Sequence, residues 1–78
     1  IEIHCNDFAP GTRVLLLDDL LATGGTLVAA AKLVERANLK VAGVGALLEL
    51  EGLGGREALD GYRLETLSLV SEYPLPSK

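Results

Sequence analysis

Methionine and tryptophan are absent from this 78-residue chain, and its aromatic side chains are two tyrosines and one phenylalanine. The single cysteine, Cys5, excludes an internal disulfide, and with one histidine, His4, a zinc site of Cys and His ligands cannot be assembled. No apolar run approaches the roughly 18 residues of a spanning helix, and the acidic start Ile1-Glu2-Ile3 lacks the basic stretch of a secretory signal. A reducing compartment, the cytoplasm, is the expected setting, with no membrane partner. Positive charge is scarce as well. Seven Lys+Arg stand against eleven Asp+Glu, a net charge of −4, and the basic residues do not cluster, which argues against a nucleic-acid partner. An anionic ligand must therefore be held by local geometry rather than by a field of positive charge.

The composition, 49% hydrophobic and 23% charged, is that of a globular domain. A domain this small hides only about 60% of the surface its unfolded chain exposes, so stability is expected to lean on partners. The numbering opens on Ile1 without a methionine, on the alternating Ile1-Glu2-Ile3-His4. This reads as a piece of a longer chain, entered in the middle of a strand or just before a turn.

Ala9-Pro10-Gly11-Thr12 is a turn signal that launches a strand. Arg13 to Asp19 is apolar without alternation, as in parallel strands buried on both faces, and two acids close it. A glycine-rich loop, Ala22-Thr23-Gly24-Gly25-Thr26, follows. Leu27, Ala30, Ala31 and Val34 then recur with helical spacing while Lys32, Glu35 and Arg36 take the other face, predicting a helix over about Gly25 to Ala37 that Asn38 ends in a left-handed conformation. Lys40 to Leu48 is a second apolar strand, parallel to the first, with Gly43 and Gly45 where a helix would approach the sheet. After Glu49-Leu50-Glu51, Gly52 to Gly55 reads as a flexible connection and Arg56 to Leu59 as a single helical turn. Asp60-Gly61 marks a further turn, and Arg63 to Val70 suits an edge strand with one exposed face. Pro74 and Pro76 are expected to end regular structure.

The chemistry concentrates between Leu17 and Thr26. Paired acids at the carboxyl end of a buried parallel strand lie where open α/β sheets bind ligands. Gly24 and Gly25 let successive N–H groups point at one spot, the helix adds the positive end of its dipole, and Thr23 and Thr26 supply hydroxyls. A nest of N–H groups beside acids that accept from vicinal hydroxyls, or anchor a hydrated divalent cation, describes a site for a sugar phosphate. A bulky residue at Gly24 should resist positive φ and fill the space a phosphate needs. The lysine of a Walker A loop is missing, and no Gly-x-Gly-x-x-Gly opens the helix.

The run Val14 to Thr26, with Asp18-Asp19-Leu20-Leu21-Ala22-Thr23-Gly24-Gly25-Thr26 at its centre, resembles the phosphoribosyl pyrophosphate (PRPP) motif of type I phosphoribosyltransferases, in the form typical of the adenine-specific members. Weaker similarity extends over Glu2-Ile3-His4, Pro10-Gly11, Leu47 to Leu50 and Gly55 to Leu59, and more loosely to Tyr73. The resemblance implies an α/β fold, the parallel-sheet, Rossmann-like type I core, with residues 1–78 the carboxy-terminal part of a single phosphoribosyltransferase domain. It implies that Asp18 and Asp19 meet the ribose hydroxyls, that Ala22, Thr23, Gly24, Gly25 and Thr26 enclose the 5′-phosphate, and that Leu50 lies against the purine. It also implies adenine, PRPP and AMP as ligands, Mg²⁺ bound mainly through PRPP, and a homodimer. Cys5 stands where a basic residue is common in the family, and Gly54 where a lysine is frequent. The family's base-reading hood, pyrophosphate-gripping loop and mobile acidic loop have no counterpart here, so the isolated chain is expected to be inactive. No catalytic residue and no protein metal ligand can be named in it. The alternatives are another purine or orotate phosphoribosyltransferase, or a non-catalytic PRPP- or nucleotide-sensing regulator of the same fold.

Three further features read as structural. His4 and Cys5, as strand neighbours, point to opposite faces. Glu49 and Glu51 flank a loop and read as solvated surface. Arg56 and Glu57 read as a local contact of little worth.

Overall fold

The computed structural model describes residues 1–7 and 9–70, so Pro74, Pro76 and the similarity toward Tyr73 lie outside the described residues. The elements in chain order are β1 (Glu2–His4), β2 (Arg13–Leu21), α1 (Gly25–Arg36), β3 (Lys40–Leu50), α2 (Gly55–Ala58) and β4 (Leu64–Val70). They build one sheet of order β1-β2-β3-β4. As the crossover rule requires, β2 and β3 are parallel neighbours joined through α1, and β4 extends the parallel set at the edge. Only β1 runs antiparallel, pairing Ile3 with Leu16.

Helix α1 buries Leu27, Ala31 and Val34 against the sheet, where they meet Val14, Leu16, Val44 and Ala46 to make the core. Its end is closed as the sequence predicts. Asn38 is left-handed at φ 65°, its N–H donates to the Glu35 carbonyl, and the Leu39 N–H reaches back to Val34 at 3.1 Å. These are the paired bonds of a Schellman motif, with Leu39 buried as its apolar contact. The Ala9–Thr12 turn docks on this end, since the Gly11 N–H donates to the Asn38 carbonyl at 2.7 Å.

Both central strands run two residues further than the sequence indicates, to Leu21 and Leu50. The buried side chains step from 14 and 16 to 21 in β2 and, Gly43 aside, from 44 and 46 to 49 in β3. An odd step switches the face that turns inward, and because Leu21 stays paired with Glu49 the two strands switch together. This phase change carries Leu21 and Glu49 into the interior beside α2.

Gly43 and Gly45 are not sites of helix approach. They pair with Leu15 and Leu17 on the face away from α1, and a methyl on Gly45 would come within 2.9 Å of Leu17 Cδ2. The glycines make room for the leucines of the neighbouring strand. Leu15, Leu47 and Leu67 are all more than 40% exposed, so this second face carries apolar surface uncovered within the described residues. His4 Nε2 lies 3.0 Å from Glu2 Oε1, its neighbour on the same side of β1, while Cys5 packs against the core.

Candidate functional site

The carboxyl ends of β2 and β3 and the amino end of α1 meet at one edge of the sheet. Since Leu20 and Leu21 belong to β2, the connection to α1 is only Ala22-Thr23-Gly24. Gly24 is the N-cap in left-handed geometry, φ 86° and ψ −2°, with no side chain capping the helix and no acid in its first turn. The first intrahelical bond is from the Val28 N–H to the Gly24 carbonyl at 2.9 Å. The N–H groups of Gly25, Thr26 and Leu27 therefore lack intrahelical acceptors and are free for an anion. A depression of about 90 Å³ at this point is lined by residues 20–27 together with Asp18. It contains no lysine or arginine, so any anion in it is held by backbone N–H groups, the Thr23 and Thr26 hydroxyls and the helix dipole.

Asp18 and Asp19 divide at the strand end. Asp18, half-buried, lines the depression at the Ala22–Thr26 loop, and its Oδ1 accepts the Asp19 N–H at 2.8 Å and lies 3.6 Å from the Ile1 amino group. Asp19 is exposed and does not line that depression. Both acids border a larger concavity of about 460 Å³ on the face away from α1, with Leu17, Gly45, Leu47 and Leu67. Leu50 lies apart from both, in a hollow of about 130 Å³ around α2 with Arg56 and Leu69. Thus the loop residues Ala22 to Thr26 and Asp18 share one cavity, and Asp19 and Leu50 stand outside it.

The helical turn expected at Arg56 to Leu59 is α2, Gly55–Ala58, and it is the floor of the loop; Gly55, read above as the end of a flexible connection, is its first residue. A methyl on Gly24 would lie 3.1 Å from Ala58 Cβ and from the Gly55 Cα and carbonyl oxygen. It would strike α2, which corrects the expectation that a side chain at Gly24 fills the phosphate space. Gly55 is tighter still: a methyl there would collide with the Ala22 carbonyl oxygen and come within 2.8 Å of Leu21 Cγ. Glycine at 55 is what lets α2 touch the loop.

Glu49 is not solvated surface. It is 5% exposed, carried inward by the phase change, and its carboxylate accepts three hydrogen bonds: Arg56 Nε at 3.0 Å, Arg56 Nη2 at 2.8 Å and Thr66 Oγ1 at 2.9 Å. The partner of Arg56 is therefore Glu49 across the fold rather than adjacent Glu57. The Arg56 guanidinium holds the Glu49 carboxyl below its ordinary value, outweighing the burial that pushes it up, and Glu49 in turn raises Arg56. Sequence reasoning missed this network; its one local trace is an arginine directly after the Gly54-Gly55 pair.

A phosphoribosyl transferase domain family matches residues 9–73. The chain is 61% identical over 67 residues to the adenine phosphoribosyltransferase of Clavibacter michiganensis, a match covering 86% of this chain and 38% of that protein. Among solved structures, the adenine phosphoribosyltransferase of Thermoanaerobacter pseudethanolicus superposes with a TM-score of 0.77 at 49% identity, covering 78% of this chain and 36% of the other. The Trypanosoma brucei enzyme, solved with AMP, pyrophosphate and ribose-5-phosphate, superposes with a TM-score of 0.68 at 31% identity, over 76% of this chain and 28% of its own. The chain thus spans well under half the length of these relatives.

Proposed function

The chain belongs to the phosphoribosyl transferase domain family, and on that premise we propose that the protein carrying it is an adenine phosphoribosyltransferase, joining adenine N9 to the ribose C1 of PRPP to give AMP and pyrophosphate. The four-stranded, mostly parallel sheet is the type I core of that family, and we read residues 1–78 as the carboxy-terminal part of a single such domain. The observation that carries the proposal is the Ala22–Thr26 loop, where left-handed Gly24 turns uncapped helix N–H groups toward a cavity free of cationic side chains. The identity to named adenine enzymes supports the choice of base, and gives the orotate and regulator alternatives less support.

In this reading the loop N–H groups and the Thr23 and Thr26 hydroxyls hold the 5′-phosphate. Asp18 and Asp19 accept from the ribose hydroxyls, and Leu50 offers an apolar contact to the purine. These residues position the reacting carbon and do not transfer protons. Among the described residues no three Asp, Glu, His or Cys side chains come together. Asp18 and Asp19, which border one concavity at the strand end, are the carboxylates that would hold the water shell of a Mg²⁺ carried mainly on the oxygens of PRPP. When bound, Mg²⁺ would neutralise the pyrophosphate as it departs. We also assign the protein to the cytoplasm, which the lone free Cys5 supports, and to a homodimer, as the family resemblance implies.

The test is calorimetric titration of the full-length protein with AMP, ribose 5-phosphate and adenosine. AMP and ribose 5-phosphate should bind, and adenosine should bind much more weakly than AMP. Equal affinity for AMP and adenosine would remove the phosphate cradle and the assignment with it.

A further inference from the structure

We propose that Glu49, Arg56 and Thr66 form a positioning brace that holds α2 against the phosphate loop, so that Glu49 governs affinity for a ligand's phosphate without touching the ligand. This rests on the reading of Ala22 to Thr26 as a phosphate cradle. Helix α2 is four residues long, too short to persist without tertiary support. Two anchors hold it. Leu59, 1% exposed, plugs its end into the core, and Arg56 donates twice to Glu49, which Thr66 of β4 also grips.

What α2 then touches is the loop. Gly55 packs under the Ala22 carbonyl and Leu21, and Gly55 and Ala58 back the buried, left-handed Gly24. The convergence of the loop N–H groups depends on the Gly24 dihedrals, and α2 closes the side toward which Gly24 could relax. Arg56 is itself half exposed, so the pair is not an ion pair sealed in the core. It ties a surface turn to a buried carboxylate at the strand end. A two-sided contact of this kind transmits a shift in α2 directly to the loop.

Glu49→Gln keeps the size and the acceptor for Thr66 but gives up the charge. Arg56→Lys keeps a charge but loses the two-pronged donor. In the full-length protein we expect Glu49→Gln to weaken ribose 5-phosphate and AMP by about threefold to thirtyfold, with adenosine affinity unchanged. KM for PRPP should rise while KM for adenine holds, and Arg56→Lys should fall between wild type and Glu49→Gln. A merely structural role would lower thermal stability without splitting the two KM values. The proposal is overturned if Glu49→Gln leaves phosphate-ligand affinity within about twofold of wild type, or weakens adenosine as much as AMP. Should Glu49→Gln fail to fold, Arg56→Lys decides by the same criteria. Failure of the underlying reading looks different: wild type itself would then not distinguish AMP from adenosine.

Discussion

Gly24 and Gly54 form a matched pair that separates backbone strain from contact. Both are left-handed N-caps at φ 86°, with ψ −2° and 5°. A methyl at Gly54 meets nothing within 4 Å, whereas at Gly24 it meets Ala58 and Gly55 at 3.1 Å. Forcing an L-residue into this region costs about 1–2 kcal/mol at either position. At Gly24 the added carbon lies inside the roughly 3.5–4.0 Å of a comfortable carbon contact, and overpacking of that kind adds about 1–3 kcal/mol. Gly54→Ala should therefore lose about 1–2 kcal/mol and Gly24→Ala about 2–5 kcal/mol, the sums of these terms. The two should part further in binding. Gly54→Ala should leave AMP affinity near wild type, while Gly24→Ala, which must push the loop off α2, should weaken it, and Gly24→Val should abolish it. Urea unfolding of the full-length protein reads the first quantity and calorimetry the second. Equal losses of stability and affinity at the two positions would refute the reasoning, because they would show that the contact with α2 has no consequence.

Removing the Thr26 hydroxyl with Thr26→Val should cost one hydrogen bond to a charged group, about 1.5–3 kcal/mol, measured as a roughly ten- to hundredfold rise in Kd for ribose 5-phosphate. Asp18→Asn should weaken AMP and ribose 5-phosphate but leave inorganic phosphate affinity equal or slightly improved, since a negative charge beside the loop is removed; weaker phosphate binding by titration would contradict this. Because the Glu49 carboxyl is held below its ordinary 4.5 in the folded chain, its stabilisation is present above that value and is lost as pH falls through the lowered one. Urea midpoints measured from neutral pH into acid should fall more steeply for wild type than for Glu49→Gln, and parallel curves would count against the ion pair.

Local rules were enough for part of this chain. The apolar run of β2, the helical spacing of Leu27, Ala31 and Val34, left-handed Asn38 and the loop at Gly24 are each specified by neighbours within a few residues, so they are legible in the sequence, and the parallel pairing of β2 with β3 follows from the helix that joins them. The fate of Glu49 is not local. Its partners Arg56 and Thr66 lie 7 and 17 residues away, and whether it faces water or the interior depends on a phase change that two strands share. A solvated glutamate and a buried, paired one have the same spelling, and only the register between strands decides between them. The same holds for Gly43, Gly45 and Gly55. Composition marks them as places where a side chain is unwelcome, but what excludes it, a leucine of the next strand or the Ala22 carbonyl, is settled by packing at a distance in sequence.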